Sequence, residues 1–138
     1  MRMAARPVKL AQVKRSKYRA VPVVVDGVRF ASTREAERYA ELTLLEKSGA
    51  IRDLVLQPRF ELHAPQLDDE GMPRPIECLG CYRGDFAYQV KYVVTVEGIR
   101  TEHWRGVVED VKGFRTPLYR WKKKHVEAQY GITVQEIR

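Results

Sequence analysis

The chain has 138 residues, with 25 Lys and Arg against 18 Asp and Glu and a formal net charge of +7. That length supports one domain around a single two-layer core, not two independent domains. There is no run of about 18 apolar residues, and the basic N-terminus has no apolar stretch behind it, which argues against a membrane span or a secretory leader and for a soluble, cytoplasmic protein.

Met1 to Arg19 holds seven of the basic residues and no carboxylate, leaving 18 Lys and Arg against 18 Asp and Glu in the remainder. Residues 1–16 show no apolar periodicity and are expected to form a flexible basic arm, with a single domain over residues 17–138. Val21 to Val25 and Val28 to Phe30, joined by Asp26-Gly27, read as a hairpin because that dipeptide accepts the positive φ angles of a tight turn. Ser32 followed by Glu35 has capping-box spacing, and the helical pattern runs to Lys47 before Gly49, with Tyr39, Leu42 and Leu45 as its inward stripe. Leu54 to Leu62 returns to strand character, demoted toward an edge or bulge at Pro58. Ala64 to Arg83, with three prolines and the Asp68-Asp69-Glu70 run, reads as a loop. Cys78 and Cys81 within it are one CxxC without a second pair, and the three histidines are scattered. The preferred reading is loop thiols, free or disulfide-bonded, and not a zinc site or a redox dithiol.

Two long strands are predicted next, about Gly84 to Val96 and Arg100 to Val111, joined at Glu97-Gly98. Thr116-Pro117 opens a second helix that Gly131 ends, and Ile132 to Ile137 alternates as a last strand. On that helix a 100° step puts Arg120, Lys123, Lys124 and Glu127 on one side, and Leu118, Trp121 and Ala128 on an apolar side extended by Tyr119, Val126 and Tyr130. The order ββ, α, β, ββ, α, β predicts an α/β fold with a mixed central sheet flanked by helices.

The basic arm and the acid-free stretch from Gly113 to Val126 suit a polyanion, because each Lys or Arg placed on a phosphate releases counterions. Nucleic acid is the expected partner, with Lys14, Arg15, Lys17, Arg19, Arg120, Lys123 and Lys124 as candidate phosphate contacts. Side chains alternate along a strand, so Val108, Asp110 and Lys112 share one face while Glu109 and Val111 share the other. Asp85 begins the preceding strand, and how near it lies to Asp110 depends on a register that the sequence leaves open. Acidic oxygens beside a lysine are the groups that metal-assisted phosphodiester hydrolysis needs.

Gly84-Asp85-Phe86 followed by Asp110-Val111-Lys112-Gly113 resembles the D-x(n)-(D/E)-x-K signature of the PD-(D/E)xK nuclease superfamily. Ser32-Thr33-Arg34-Glu35 resembles the S-x-x-E helix start of its phage junction-resolving members. Lys17-Tyr18, Asp26-Gly27, Phe30-Ala31-Ser32, Glu35-Ala36 and Leu56-Gln57-Pro58 are similar to stretches of small phage proteins of that superfamily. Gly84 stands where the superfamily's name has proline. The resemblance implies a restriction-endonuclease-like fold and Mg²⁺, with Mn²⁺ as substitute, held by Asp85, Asp110, the Val111 carbonyl and Glu35. Lys112 would orient the attacking water or stabilise the phosphate. It implies a homodimer that resolves four-way DNA junctions in the host cytoplasm. The apolar Val21 to Phe30 hairpin and the Leu54 to Leu62 strand are the candidate interfaces. A nicking or trimming nuclease and a non-catalytic nucleic-acid binder are the competing readings. Residue by residue, Glu35 can instead be only a capping acid, Glu109 rivals Asp110, Asp85 can cap a turn, and Gln57 either approaches the site or satisfies a strand edge.

Overall fold

In the computed structural model, which describes residues 20–74 and 77–138, a short hairpin of β1 (Val23–Val25) and β2 (Val28–Phe30) precedes helix α1 (Thr33–Lys47). Strands β3 (Ile51–Leu56), β4 (Arg59–His63), β5 (Cys78–Arg83), β6 (Phe86–Val96) and β7 (Ile99–Val111) follow, then helix α2 (Pro117–Tyr130) and β8 (Val134–Ile137). The expected basic arm, with Lys14 and Arg15, and the expected contacts Lys17 and Arg19 lie outside the described residues.

The Glu97-Gly98 turn sets the register of the molecule. Both residues have positive φ, 51° and 80°, the geometry that lets a two-residue loop follow the twist of its strands. From it β6 and β7 pair without a bulge through eleven residue pairs, Val96 with Ile99 to Phe86 with Glu109. Antiparallel β3 and parallel β8 flank this hairpin at its far end, giving a mixed four-stranded sheet in the order β3-β6-β7-β8. β1–β2 and β4–β5 form two separate two-stranded sheets.

Alternate residues of β7 feed two cores. Val107 joins Phe30, Ala36, Leu42, Ile51, Phe86 and Tyr88 under α1, whereas Val108 joins Leu62, Tyr82, Val126 and Val134 under α2. The helices thus cover opposite faces of the sheet. α1 starts where its caps require: Ser32 Oγ accepts the Glu35 amide at 3.2 Å, and Gly49, at φ 79°, lies just beyond Ser48, the C-cap. α2 starts on Thr116, whose hydroxyl accepts the Tyr119 amide, and stops at Gly131 in the left-handed region. No helix among the described residues is long and apolar enough to cross a membrane.

Four expectations require correction. Leu54 to Leu62 is not one strand: the chain turns at Gln57, φ 49°, so β3 and β4 belong to different sheets. The region read as a loop ends in β5, which pairs with β4 around a bulge and covers α2; Cys78 and Cys81 are free thiols on that strand. Leu45 is 39% exposed and not part of the core, and α1 buries Ala36 and Leu42, with Tyr39 against Phe30. On α2 the buried side is Val126 flanked by Tyr119, while Leu118, Trp121 and Ala128 face outward.

Candidate active site

The β6–β7 ladder ends at Phe86 with Glu109; Asp85, just before β6, donates its amide to the Glu109 carbonyl at 2.9 Å and accepts the Val111 amide on its carboxylate, which brings it to the end of β7 that carries Asp110. The ladder stops one residue short of Asp85, so these two contacts with β7, and not strand pairing, set its place beside Asp110. Gly84 is pressed against β7: a Cβ there would lie 3.1 Å from Val108 Cγ1 and 3.3 Å from the Glu109 carbonyl oxygen. That approach accounts for glycine before Asp85.

Asp110 is 1% exposed. Tyr82, on β5, donates its hydroxyl to Asp110 Oδ2 at 2.6 Å, and Lys112 Nζ stands 2.8 Å from Oδ1. Oδ1 accepts no well-aligned hydrogen bond, so its contact with Lys112 is an ion pair and the oxygen keeps acceptor capacity. The Lys112 ammonium also lies 4.9 Å from the Tyr119 ring centre, and the Tyr119 hydroxyl donates to Glu136. Burial first, then the hydrogen bond to Asp110, pushes the Tyr82 hydroxyl well above its ordinary range, so it remains a donor.

Asp85 is held from behind by the Val111 amide, which donates to Oδ2 at 2.5 Å. Burial raises its pKa, opposed by that amide; repulsion from Asp110 and Glu35 adds to the rise, Lys112 works against it, and the result is about 7. Glu35 caps α1, its carboxylate accepting the Ala31 amide at 3.2 Å. It also lines both a pocket of about 190 Å³ shared with Asp85, Gln57 and Arg29 and a groove of about 960 Å³ shared with Lys112, Val111 and Arg120. Capping and proximity to the acids therefore coexist in Glu35, and Gln57 approaches the site while its amide bonds the Asp85 carbonyl.

A stability prediction follows from Asp85. Its folded pKa of about 7 exceeds the ordinary 3.8, so in that interval the folded chain keeps a proton that the unfolded chain releases, and stability falls as pH rises through it. In chelator, Asp85→Asn is expected to raise the melting temperature at about pH 8 and to leave it unchanged near pH 4. An equal shift at both values would contradict this charge environment.

The other predicted residues fall elsewhere. Glu109 faces α1, fully buried, and pairs through both oxygens with Arg38 at 2.9 and 2.6 Å while accepting the Tyr88 hydroxyl. Lys123 is not an open phosphate contact, because its ammonium binds Glu136 at 3.0 Å. Arg115 pairs with the same carboxylate, and Lys122 donates to the Cys81 carbonyl. Much of the acid-free stretch is thereby engaged inside the fold; among the described residues Arg120 and Lys124 have no ion-pair partner. Sequence reasoning missed Tyr82, Tyr119 and Glu136. Tyr82 was hidden in a segment read as loop, and the alternation that selected Asp110 and Lys112 says nothing about β5 or α2.

Residues 15–136 match the family model described as "Protein of unknown function (DUF1064)". The chain belongs to this family. No curated protein and no solved structure matches the chain.

Within this DUF1064 fold no group of three His, Cys, Asp or Glu side chains converges closely enough to hold a metal ion, among the described residues. Glu35 lies near enough to act on the Asp85 charge, and its carboxylate accepts the Ala31 amide. The donor chemistry still fits a hard divalent cation. Asp85 and Asp110 are neighbouring carboxylates close enough to repel, and Asp110 Oδ1 is buried without a well-aligned hydrogen bond. Magnesium is commonly held by one or two carboxylates, several waters and substrate phosphate oxygens.

Proposed function

We propose that this DUF1064 protein is a metal-dependent DNA endonuclease of the PD-(D/E)xK type with a restriction-endonuclease-like fold, acting as a homodimer on four-way or branched junctions. The observation that carries the reading is the meeting of Asp85 and Asp110 at the open end of the β6–β7 hairpin, close enough for Asp110 to raise the Asp85 pKa, with Lys112 Nζ 2.8 Å from Asp110 Oδ1 beside a groove. Asp85, Asp110 and the Val111 carbonyl would hold Mg²⁺ or Mn²⁺, with Glu35 near enough to add charge. Such an ion supplies Lewis-acid polarisation of the scissile phosphate and a water of lowered pKa.

The chain's own residues have separable tasks. Tyr82 fixes one Asp110 oxygen and leaves the other toward Lys112. Lys112, held between Asp110 and the Tyr119 ring, offers its ammonium to the attacking water or to charge growing on the phosphate. The Val111 amide orients Asp85. A four-way junction needs two symmetric cuts and one chain carries one such site, so a two-fold dimer supplies the second.

The test compares a four-way junction with linear duplex of the same sequences, in Mg²⁺ and in chelator. Paired cuts in the junction, stopped by chelator, support the proposal. Equal cutting of duplex favours nicking or trimming in packaging or repair, and metal-independent binding without cutting favours a binder.

A further inference from the structure

The outer face of α2 is unlike a solvated helix face. Leu118 is 62% and Trp121 57% exposed on its first two turns, where a helix packed on one side ordinarily carries polar groups. Phe114, 66% exposed, lines the groove that also holds Lys112, Glu35 and Arg120. His125 meets the Trp121 ring edge to face at 5.3 Å, which restricts the indole's orientation. Arg120 and Lys124 are exposed on the same helix, and Arg120 lines the groove. Exposed aromatic rings interleaved with cations, next to a groove leading to an acidic site, match the chemistry of unstacked nucleic-acid strands: phosphates meet the cations and base faces meet the rings. A fully paired duplex hides its base faces and gains nothing from such rings.

We infer that Phe114 and Trp121 stack unpaired bases of the DNA substrate while Arg120 and Lys124 hold the adjoining phosphates, so that the site selects DNA with single-stranded or splayed segments. The inference rests on the nuclease reading and deepens it by naming what the groove selects. The surface commits to nucleic acid over a protein partner because its exposed charges are cationic and it borders the acidic site.

The experiment measures binding of the full chain in chelator, by fluorescence anisotropy, to a single-stranded deoxyoligonucleotide, a flapped duplex and a fully paired duplex. Phe114→Ala and Trp121→Ala are each expected to weaken single-strand and flap binding about tenfold, the scale of one lost base stack, and duplex binding less than about twofold. Phe114→Tyr and Trp121→Phe retain a ring and are expected to restore most of the loss. In a Trp104→Phe background Trp121 is the remaining tryptophan, and single-stranded DNA is expected to quench its emission. Unchanged thermal melts of the exposed-site variants separate lost stacking from lost folding. Equal weakening on all three DNAs, or no quenching, overturns the inference, as does a change in sedimentation with unaltered DNA affinity, which would mark the patch as a protein-docking face. Wild type that binds and cuts DNA while both alanine variants bind normally defeats the stacking inference alone. Wild type that binds no DNA defeats the nuclease reading with it.

Discussion

Asp85→Asn, Asp110→Asn and Lys112→Ala are each expected to lower DNA cleavage by at least about a hundredfold, the scale of losing a positioned catalytic group. The reason differs at each position. Asp110→Asn keeps the Tyr82 contact but removes the charge that faces Lys112 and the acceptor capacity of Oδ1. Asp85→Asn still accepts the Val111 amide, so the backbone holds while a carboxylate is lost. Lys112→Ala leaves Asp110 buried without its cation. Binding is expected to survive all three changes, and the two amides are expected to tighten it by removing negative charge from the phosphate path. Single-turnover cleavage and anisotropy on the same junction separate these effects. Near-normal cutting by Asp110→Asn, with a folded Glu109→Gln inactive, would mean that the other strand face carries the chemistry.

Glu109→Ala is expected to act on stability, by about 3–5 kcal/mol, the range for breaking a buried ion pair by removing one partner. Glu109 is 0% exposed, bonded through both oxygens to Arg38 and to the Tyr88 hydroxyl. Its removal strands the Arg38 guanidinium, whose pKa Glu109 raises most, and a Tyr88 hydroxyl that burial and Glu109 push to about 12. Arg38 retains Glu41 at 2.7 Å, but that carboxylate is exposed and replaces little. Arg38→Met combined with Glu109→Leu is expected to recover most of the loss, because charge and counter-charge leave together. Urea denaturation of the single and double variants measures the difference. A loss below about 1 kcal/mol for Glu109→Ala would show that the cluster contributes little.

These two acids show what was legible in the sequence. Strand alternation separated Glu109 from Asp110 and put Lys112 with Asp110, and the structure has Glu109 under α1 and Asp110 with Lys112 under α2. The relation of Asp85 to Asp110 was not legible, since alternation carries no register and Asp85 lies just outside the ladder, placed by its bonds to the Glu109 carbonyl and the Val111 amide. Both helix starts were readable from Ser32 and Thr116, because capping is local chemistry. Facing was not readable on α2. Apolar residues occupy two sides of that helix, and only β4 and β5 decide that Val126 turns inward and Trp121 outward. β5 itself escaped because its composition, with Gly80 and a proline-rich approach, resembles a loop, and its pairing with β4 is a tertiary event. Lys123 misled for a similar reason: Glu136 stands directly across from Asp110 on β8, and no local pattern joins it to α2.

The most direct measurement incubates supercoiled DNA containing an extruded junction with the purified chain, in Mg²⁺ and in chelator, beside Asp110→Asn. The account predicts linear product from wild type in Mg²⁺, none in chelator, and none from Asp110→Asn although it binds the DNA. Intact DNA in every lane with wild type bound, or cleavage equal in Asp110→Asn and wild type, would contradict a metal-dependent nuclease built on Asp85, Asp110 and Lys112.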